Sequence, residues 1–340
     1  MRSPKIIICA AVLLISSMPG QSALADGEVN VYSYRQPFLI KPIFDAFTRE
    51  TGIKVNVVFA KQGLVERLKQ EGRNSPADLI FTVDIGRLQD AEDAGVTQAV
   101  QTESLEASIP SQYRDPEGNW YGLTTRARII VASKERVAKG EVSRYEDLAD
   151  PDWKGRVCMR SGKHVYNVAL IGAMMANDGD EVATAWIQGV KENLARKPQG
   201  NDRAQVRAIK EGVCDVAIIN HYYMGNMLSD EEQSQWADSV RIVFPNQDDR
   251  GTHVNISGMA LTQSAPNREN AIKLMEFLSS DLAQRMYAEQ NFEYPVRPGT
   301  PMSGLLQSFG EFEADELPLS EVAKRRSDAV KVVDEVDFDG

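Results

Sequence analysis

Apolar positions along the first third of the chain switch between two spacings. Val29 to Ser33 is a short apolar run that predicts a strand, and the segment from Pro42 to Glu50 then carries Ile43, Phe44 and Phe47 at helical spacing before Gly52 stops it. Lys54 to Ala60 alternates, with Val55, Val57 and Phe59 on one face. A second helix is expected from about Gln62 to Glu71, ending at Gly72. Asn74-Ser75-Pro76 follows as a turn, and Asp78 to Phe81 as a short buried strand. Strands that alternate with helices in this way lie parallel, and ligands in such sheets sit beyond the carboxyl ends of the strands.

The alternation resumes after Asp150. A strand is expected at Arg156 to Arg160, helices at about Tyr166 to Asn177, Glu181 to Arg196 and Arg203 to Glu211, and a strand at Cys214 to Asn220, which together make a second lobe. Arg128 to Ser133 and His253 to Leu261 are apolar strands of a length suited to crossing between lobes. Pro266 to Ser280 is an amphipathic helix with Pro near its first turn and Ile272, Leu274, Met275, Phe277 and Leu278 on its buried face. The expected division is a first lobe of residues 26–126 plus 255–300 and a second of 127–254 plus 301–340. The acidic stretch near Asp334 to Asp339 reads as a solvated tail.

Composition adds limits. The 340 residues are 42% hydrophobic and 26% charged, which excludes disorder, collagen and coiled coil and is enough for two cores. The formal net charge of −11 argues against nucleic acid, whose binding needs clustered Lys and Arg. Residues 1–25 have the layout of a secretory signal: Arg2 and Lys5, an apolar run from Ile6 to Ile15, then Ala23-Leu24-Ala25 as the cleavage site. A run of about ten residues is too short to cross roughly 30 Å of hydrocarbon, and no Cys follows it to take a lipid anchor. The product is expected free in solution. Its two remaining cysteines, Cys158 and Cys214, stand in a compartment that permits disulfides. Pairing is the expected state, closing about 56 residues for about 4 kcal/mol on the chain-entropy estimate, with two buried thiols as the alternative. An exported, acidic α/β chain of two lobes joined by crossover strands, with a cleft between them, has the plan of a periplasmic solute-binding protein, whose lobes close about a hinge.

The chemistry concentrates in Ile219-Asn220-His221-Tyr222-Tyr223, where two tyrosines follow a buried strand at the start of the next helix. Adjacent tyrosines ordinarily pack a lobe and bond their hydroxyls locally. Here Tyr166 takes the matching place after the other strand of the lobe, so three phenols are positioned to meet in one cleft. A free phenol has a pKa near 10, and only a strongly Lewis-acidic cation holds three of them ionised at neutral pH. Ferric iron fits, because three phenolates neutralise its charge and leave positions for a small anion or water. Three His in total, without metal-ligand spacing, serve the softer metals poorly, and an Asp/Asn calcium loop is missing.

Six segments in order strengthen that reading: Val29-Asn30-Val31-Tyr32-Ser33-Tyr34-Arg35-Gln36, Ser75-Pro76-Ala77-Asp78, Gly122-Leu123-Thr124-Thr125-Arg126-Ala127-Arg128, Leu194-Ala195-Arg196-Lys197-Pro198-Gln199-Gly200, the Tyr222-Tyr223 pair, and Asn255-Ile256-Ser257-Gly258. Through them the sequence resembles the periplasmic ferric-iron-binding proteins of bacterial iron ABC importers, the bacterial transferrins, over essentially the whole mature chain. The resemblance implies Fe3+ held by Tyr166, Tyr222 and Tyr223, a synergistic anion such as carbonate or bicarbonate held by Arg126, and delivery by a monomer to an inner-membrane ABC permease. Other branches place a His or His-Tyr after Tyr34-Arg35, whereas this chain has Gln36-Pro37. It therefore resembles the branch that uses three tyrosines and an anion, with Gln36 either bonding that anion or serving as a turn residue.

Several residues carry plainer expectations. His221, His164 and His253 are read as solvated or bonded to backbone, and Asp84 as a helix N-cap. Arg35 and Arg128 would add positive potential to the cleft, with an ion pair between lobes as the alternative for Arg128. A rival in the same fold is a binding protein for a small oxyanion or organic ligand. A hydrolase using Ser161 or Ser257 lacks the Gly-x-Ser-x-Gly elbow and an assigned His, so no catalytic residue is expected.

Overall fold

Nine strands carry the architecture of the computed structural model, which describes residues 27–340; the secretory signal and its cleavage site lie outside the described residues. They are β1 (Glu28–Ser33), β2 (Lys54–Phe59), β3 (Leu79–Thr82), β4 (Tyr121–Ser133), β5 (Val157–Cys158), β6 (Val216–Asn220), β7 (Val240–Val243), β8 (Val254–Leu261) and β9 (Tyr294–Pro295). Their order is β2-β1-β3-β8-β4-β6-β5, with β7 and β9 also on β4. β1 lies parallel to β2 and β3, and β5 parallel to β6, as the crossover helices between them require.

β4 and β8 are the crossovers. β4 is thirteen residues long and buried throughout. Its first part pairs antiparallel with β8, from Tyr121 opposite Met259 to Ala127 opposite Val254. From Arg128 opposite Asn220 onward it pairs with β6. It begins seven residues earlier than the apolar pattern indicates, because Thr124, Thr125 and Arg126 are polar yet face packed neighbours: the Thr124 hydroxyl donates to Glu293 at 2.9 Å. β5 is shorter than expected, since Met159 and Arg160 leave the sheet for the loop that leads to Tyr166. The first helix, Pro37–Thr51, starts five residues early with Pro37 at its opening turn, where a missing N–H costs nothing, and takes Pro42 inside it.

The two lobes have separate cores. One gathers Val29, Phe47, Phe81, Leu274 and Leu278 between β1, β3 and the helices Pro37–Thr51 and Arg268–Leu278; Ile272 is only half-buried against it. The other gathers Ile130, Trp153, Ile171, Trp186 and Ile218. The acidic C-terminal stretch belongs to this second core and is not a solvated tail. The helix Arg326–Glu335 packs Ala329, Val332 and Val333 inward, and Phe338 is 1% exposed. Asp339 accepts from the Ser161 hydroxyl at 2.7 Å and the Gly162 N–H at 2.8 Å. A Cβ on Gly162 would stand 2.8 Å from Phe338 and 2.9 Å from Val333, so this seam closes only over glycine.

Cys158 at the end of β5 and Cys214 just before β6 are joined, with Cα atoms 5.8 Å apart. The bridge closes 56 residues. Replacing both cysteines by Ala is expected to cost up to about 4 kcal/mol by releasing that loop in the unfolded chain. Urea unfolding of the two forms checks this, and coincident midpoints would refute it.

Candidate functional site

β6 ends at Asn220, and the chain turns at His221 straight into the helix Tyr222–Leu228, which puts both tyrosines in its first turn at the carboxyl end of a strand. Tyr166 stands in the first turn of the helix Val165–Asp178, beyond the carboxyl end of parallel β5. The two helix starts bring Tyr166 Oη to 3.1 Å from Tyr222 Oη, and the Tyr222 and Tyr223 rings stack with centroids 4.5 Å apart. All three are half-buried and line one cleft of about 470 Å³, together with Arg126 and Gln36. Burial pushes the Tyr222 phenol well above its ordinary 10, with Tyr166 and Tyr223 adding to the effect. Burial and then Asp202 push Tyr223 up to about 12. Ionising these oxygens therefore needs a cation bound among them.

The expected partners of the tyrosines differ in how they sit. Arg126 is 2% exposed; its Nη2 donates to the carbonyls of Val83 and Ile256, and its guanidinium lies 5.4 Å from the centre of the Tyr166 ring. Among the described residues no carboxylate pairs with it. Gln36 is exposed at the rim, where it opens the helix Pro37–Thr51 without capping it through its side chain. Arg35 adds no free charge: it is 1% exposed and paired with Glu293 at 2.9 Å.

Beneath the tyrosines lies a buried polar cluster that the sequence reading does not contain. Asp202, fully buried at the start of the helix Asp202–Lys210, accepts from Arg128 Nη1 and Arg160 Nη1, each at 2.8 Å, and from the Asn220 N–H at 2.8 Å. Arg128 also donates to Asn167 at 2.6 Å and to Asn220 at 3.1 Å. The Arg128 ion pair therefore lies within the second lobe, not between lobes. Burial alone would raise the Asp202 carboxyl; Arg128 and Arg160 outweigh it and hold it below the usual carboxylate range. Asn167 adjoins Tyr166 and Asn220 lies two residues before Tyr222, so one carboxylate anchors both ligand-bearing segments. The signal was near: Asp202 stands two residues past the Leu194–Gly200 segment.

The histidines are structural. His221 is fully buried, its Nδ1 accepting from the Ala127 N–H at 3.1 Å and its ring stacked on Tyr294 at 4.2 Å, so the backbone-bonded reading holds and the solvated one does not. His164 accepts from the Tyr166 N–H at 3.3 Å, and Asp84 caps its helix as expected, accepting from the Arg87 N–H at 2.8 Å. Burial pushes all three imidazoles down to about 3; for His253, Arg128 and Arg250 add to it. A folded-state value below the unfolded 6.5 means that the unfolded chain takes up protons first as pH falls. This part of the stability is complete above about pH 6.5 and is lost progressively toward pH 3. The metal-free protein is expected to show a falling Tm from pH 6.5 to 4.5, with a shallower slope in His253→Gln. Parallel slopes would contradict the assignment.

The cleft is cationic on an acidic protein. Arg35, Lys61, Arg87, Arg126, Arg160 and Arg203 line it, against Glu293 alone among acidic residues. Tyr34 also lines it, yet its hydroxyl is taken up by the N–H groups of Leu64 at 2.9 Å and Val65 at 3.2 Å.

Comparison with known proteins agrees with this geometry. The family model described as bacterial extracellular solute-binding protein, which is not an enzyme family, matches residues 74–309. Iron uptake protein A1 of Synechocystis is 45% identical over 324 residues, covering 94% of this chain and 89% of the relative. The apo ferric ion-binding protein A of Pasteurella haemolytica superposes with a TM-score of 0.89 at 52% identity, covering 92% of this chain and 98% of that one. The Trichodesmium protein in complex with iron and citrate gives 0.87 at 42% identity, covering 92% and 100%. With strands, crossovers and phenol-lined cleft in the same arrangement, the chain belongs to the bacterial extracellular solute-binding proteins, within their ferric-iron-binding branch.

Proposed function

We propose that the protein is the periplasmic Fe3+-binding component of an ABC importer and that Tyr166, Tyr222 and Tyr223 hold the iron as tyrosinates. The observation that carries this is the meeting of the three phenols in one cleft, with two hydroxyls 3.1 Å apart. Hard anionic oxygens suit a hard trivalent cation, and three of them cancel its charge. All three come from the second lobe, so capture precedes closure. Arg126, with one guanidinium nitrogen committed to carbonyls and no carboxylate partner, is placed for a synergistic anion such as bicarbonate; Gln36 reaches the same cleft from the rim.

The hinge in this reading lies where β4 changes partner from β8 to β6, dividing residues 26–126 plus 255–300 from 127–254 plus 301–340. The mature protein begins after Ala25, acts as a monomer in the periplasm, and releases iron to the permease on docking. The test is a visible-absorption titration of metal-stripped mature protein with Fe3+, with and without bicarbonate. A phenolate-to-iron charge-transfer band saturating at one iron per chain is expected. No band with any anion would sink the tyrosinate site and turn attention to a small oxyanion or organic ligand.

A further inference from the structure

We propose that iron enters the cleft as a ferric complex of an organic polycarboxylate, whose carboxylates not bound to iron are seated by Lys61, Arg87 and Arg203. The inference rests on the tyrosinate site proposed above and adds the class of chelator and the residues that hold it.

Charge carries the argument. Three tyrosinates cancel the charge of Fe3+. Of the six cations lining the cleft, Arg35 is spent on Glu293 and Arg160 on Asp202. Lys61, Arg87, Arg126 and Arg203 have no carboxylate partner among the described residues. The Arg87 guanidinium donates to the Lys61 carbonyl at 3.1 Å and stacks on Tyr34 at 4.3 Å, which fixes it in place without neutralising it. Arg203 is held likewise over the Tyr223 ring at 5.4 Å. Four uncompensated cations around a neutral iron centre call for more negative charge than carbonate, which brings at most two. A tricarboxylate that leaves part of its charge off the metal supplies it.

The two sides of the cleft point the same way. The first lobe meets the cargo with Gln36, Phe38, Lys61 and Arg87 and offers no anionic oxygen of its own. Such a face closes onto a cargo only where the cargo presents anions to it. Phe38 lies in the opening turn of the helix Pro37–Thr51, whose first turn holds no acidic residue, so the positive end of that helix also faces the cleft. Phe38 is 67% exposed at this edge, an apolar surface fit for a carbon skeleton and without use to bare carbonate. The volume of about 470 Å³ falls within the roughly 300–1,000 Å³ typical of organic-ligand clefts.

Equilibrium dialysis with radiolabelled citrate as the probe, run beside the charge-transfer titration, tests this. The expected result is one citrate retained per iron, in preference to bicarbonate supplied in excess. Lys61→Gln and Arg87→Gln are each expected to weaken citrate retention by at least about 10-fold, the loss of one hydrogen bond to a charged group. Lys61 is exposed, so its variant reports on the seat without disturbing the fold. A charge-transfer band that forms with bicarbonate while no citrate is retained overturns the chelate proposal and leaves the tyrosinate site standing, as does retention unchanged in both variants. Absence of the band with either anion overturns the site itself.

Discussion

Tyr223→Phe is expected to lower ferric-iron affinity by more than roughly 100-fold, the upper range for loss of a mere outer-shell partner of a metal ligand. The substitution removes one oxygen and leaves the ring. Stacking on Tyr222 and the contact with Arg203 are ring contacts, so the fold and the shape of the cleft are kept. What is lost is one of three anionic donors, and the iron centre is left with an uncompensated charge in a cleft already rich in cations. Tyr222→Phe is expected to do the same and also removes the hydroxyl that lies 3.1 Å from Tyr166 Oη. The checks are competition against a chelator of known affinity and the intensity of the charge-transfer band. An unchanged affinity with an unchanged band in Tyr223→Phe would remove that residue from the coordination shell.

Much of the frame was legible because it depends on local periodicity. Alternating strands and helices, the crossovers, and a Tyr-Tyr pair at a strand end are all short-range patterns, and each is present. The misreadings share a physical cause: polar residues buried by distant partners. Thr124 and Arg126 look too polar for a crossover strand, yet Thr124 bonds Glu293 across 169 residues of sequence. The run of aspartates after Asp334 looks solvated, but Val332, Val333 and Phe338 fasten it down. Arg160 and Arg128 meet Asp202 over separations of 42 and 74 residues, so no spacing rule would have joined them. Gln36 was legible as a neighbour of the cleft, whereas Lys61, Arg87 and Arg203 were not, because a lone cation in a helix or turn looks like any solvated one.

Asp202→Ala is expected to cost about 5 kcal/mol of unfolding free energy, the upper end of the range for removing one partner of a buried ion pair. The cost is that high because the carboxylate serves two buried guanidiniums at once. Its loss leaves Arg128 and Arg160 without their counter-charge and orphans the Asn220 N–H. Asp202→Asn keeps an acceptor for that N–H but not the charge, and is expected to cost about 3 kcal/mol. The folded-state carboxyl titrates below its unfolded value, so this contribution is present above about pH 4 and is lost as pH falls through the folded value. Denaturation of both variants at pH 7.5 and at pH 3 should therefore show large differences from the parent at the first and smaller ones at the second. A difference at pH 7.5 within about 0.5 kcal/mol of the parent would mean that the cluster is stabilised by its arginines' other contacts and not by Asp202. Iron binding separates the two jobs of this carboxylate. Asn167 bonds Arg128 from beside Tyr166, and Asn220 leads into Tyr222, so a loosened cluster shifts both phenols at once. Under conditions where Asp202→Asn stays folded, its charge-transfer band should weaken although all three tyrosines remain.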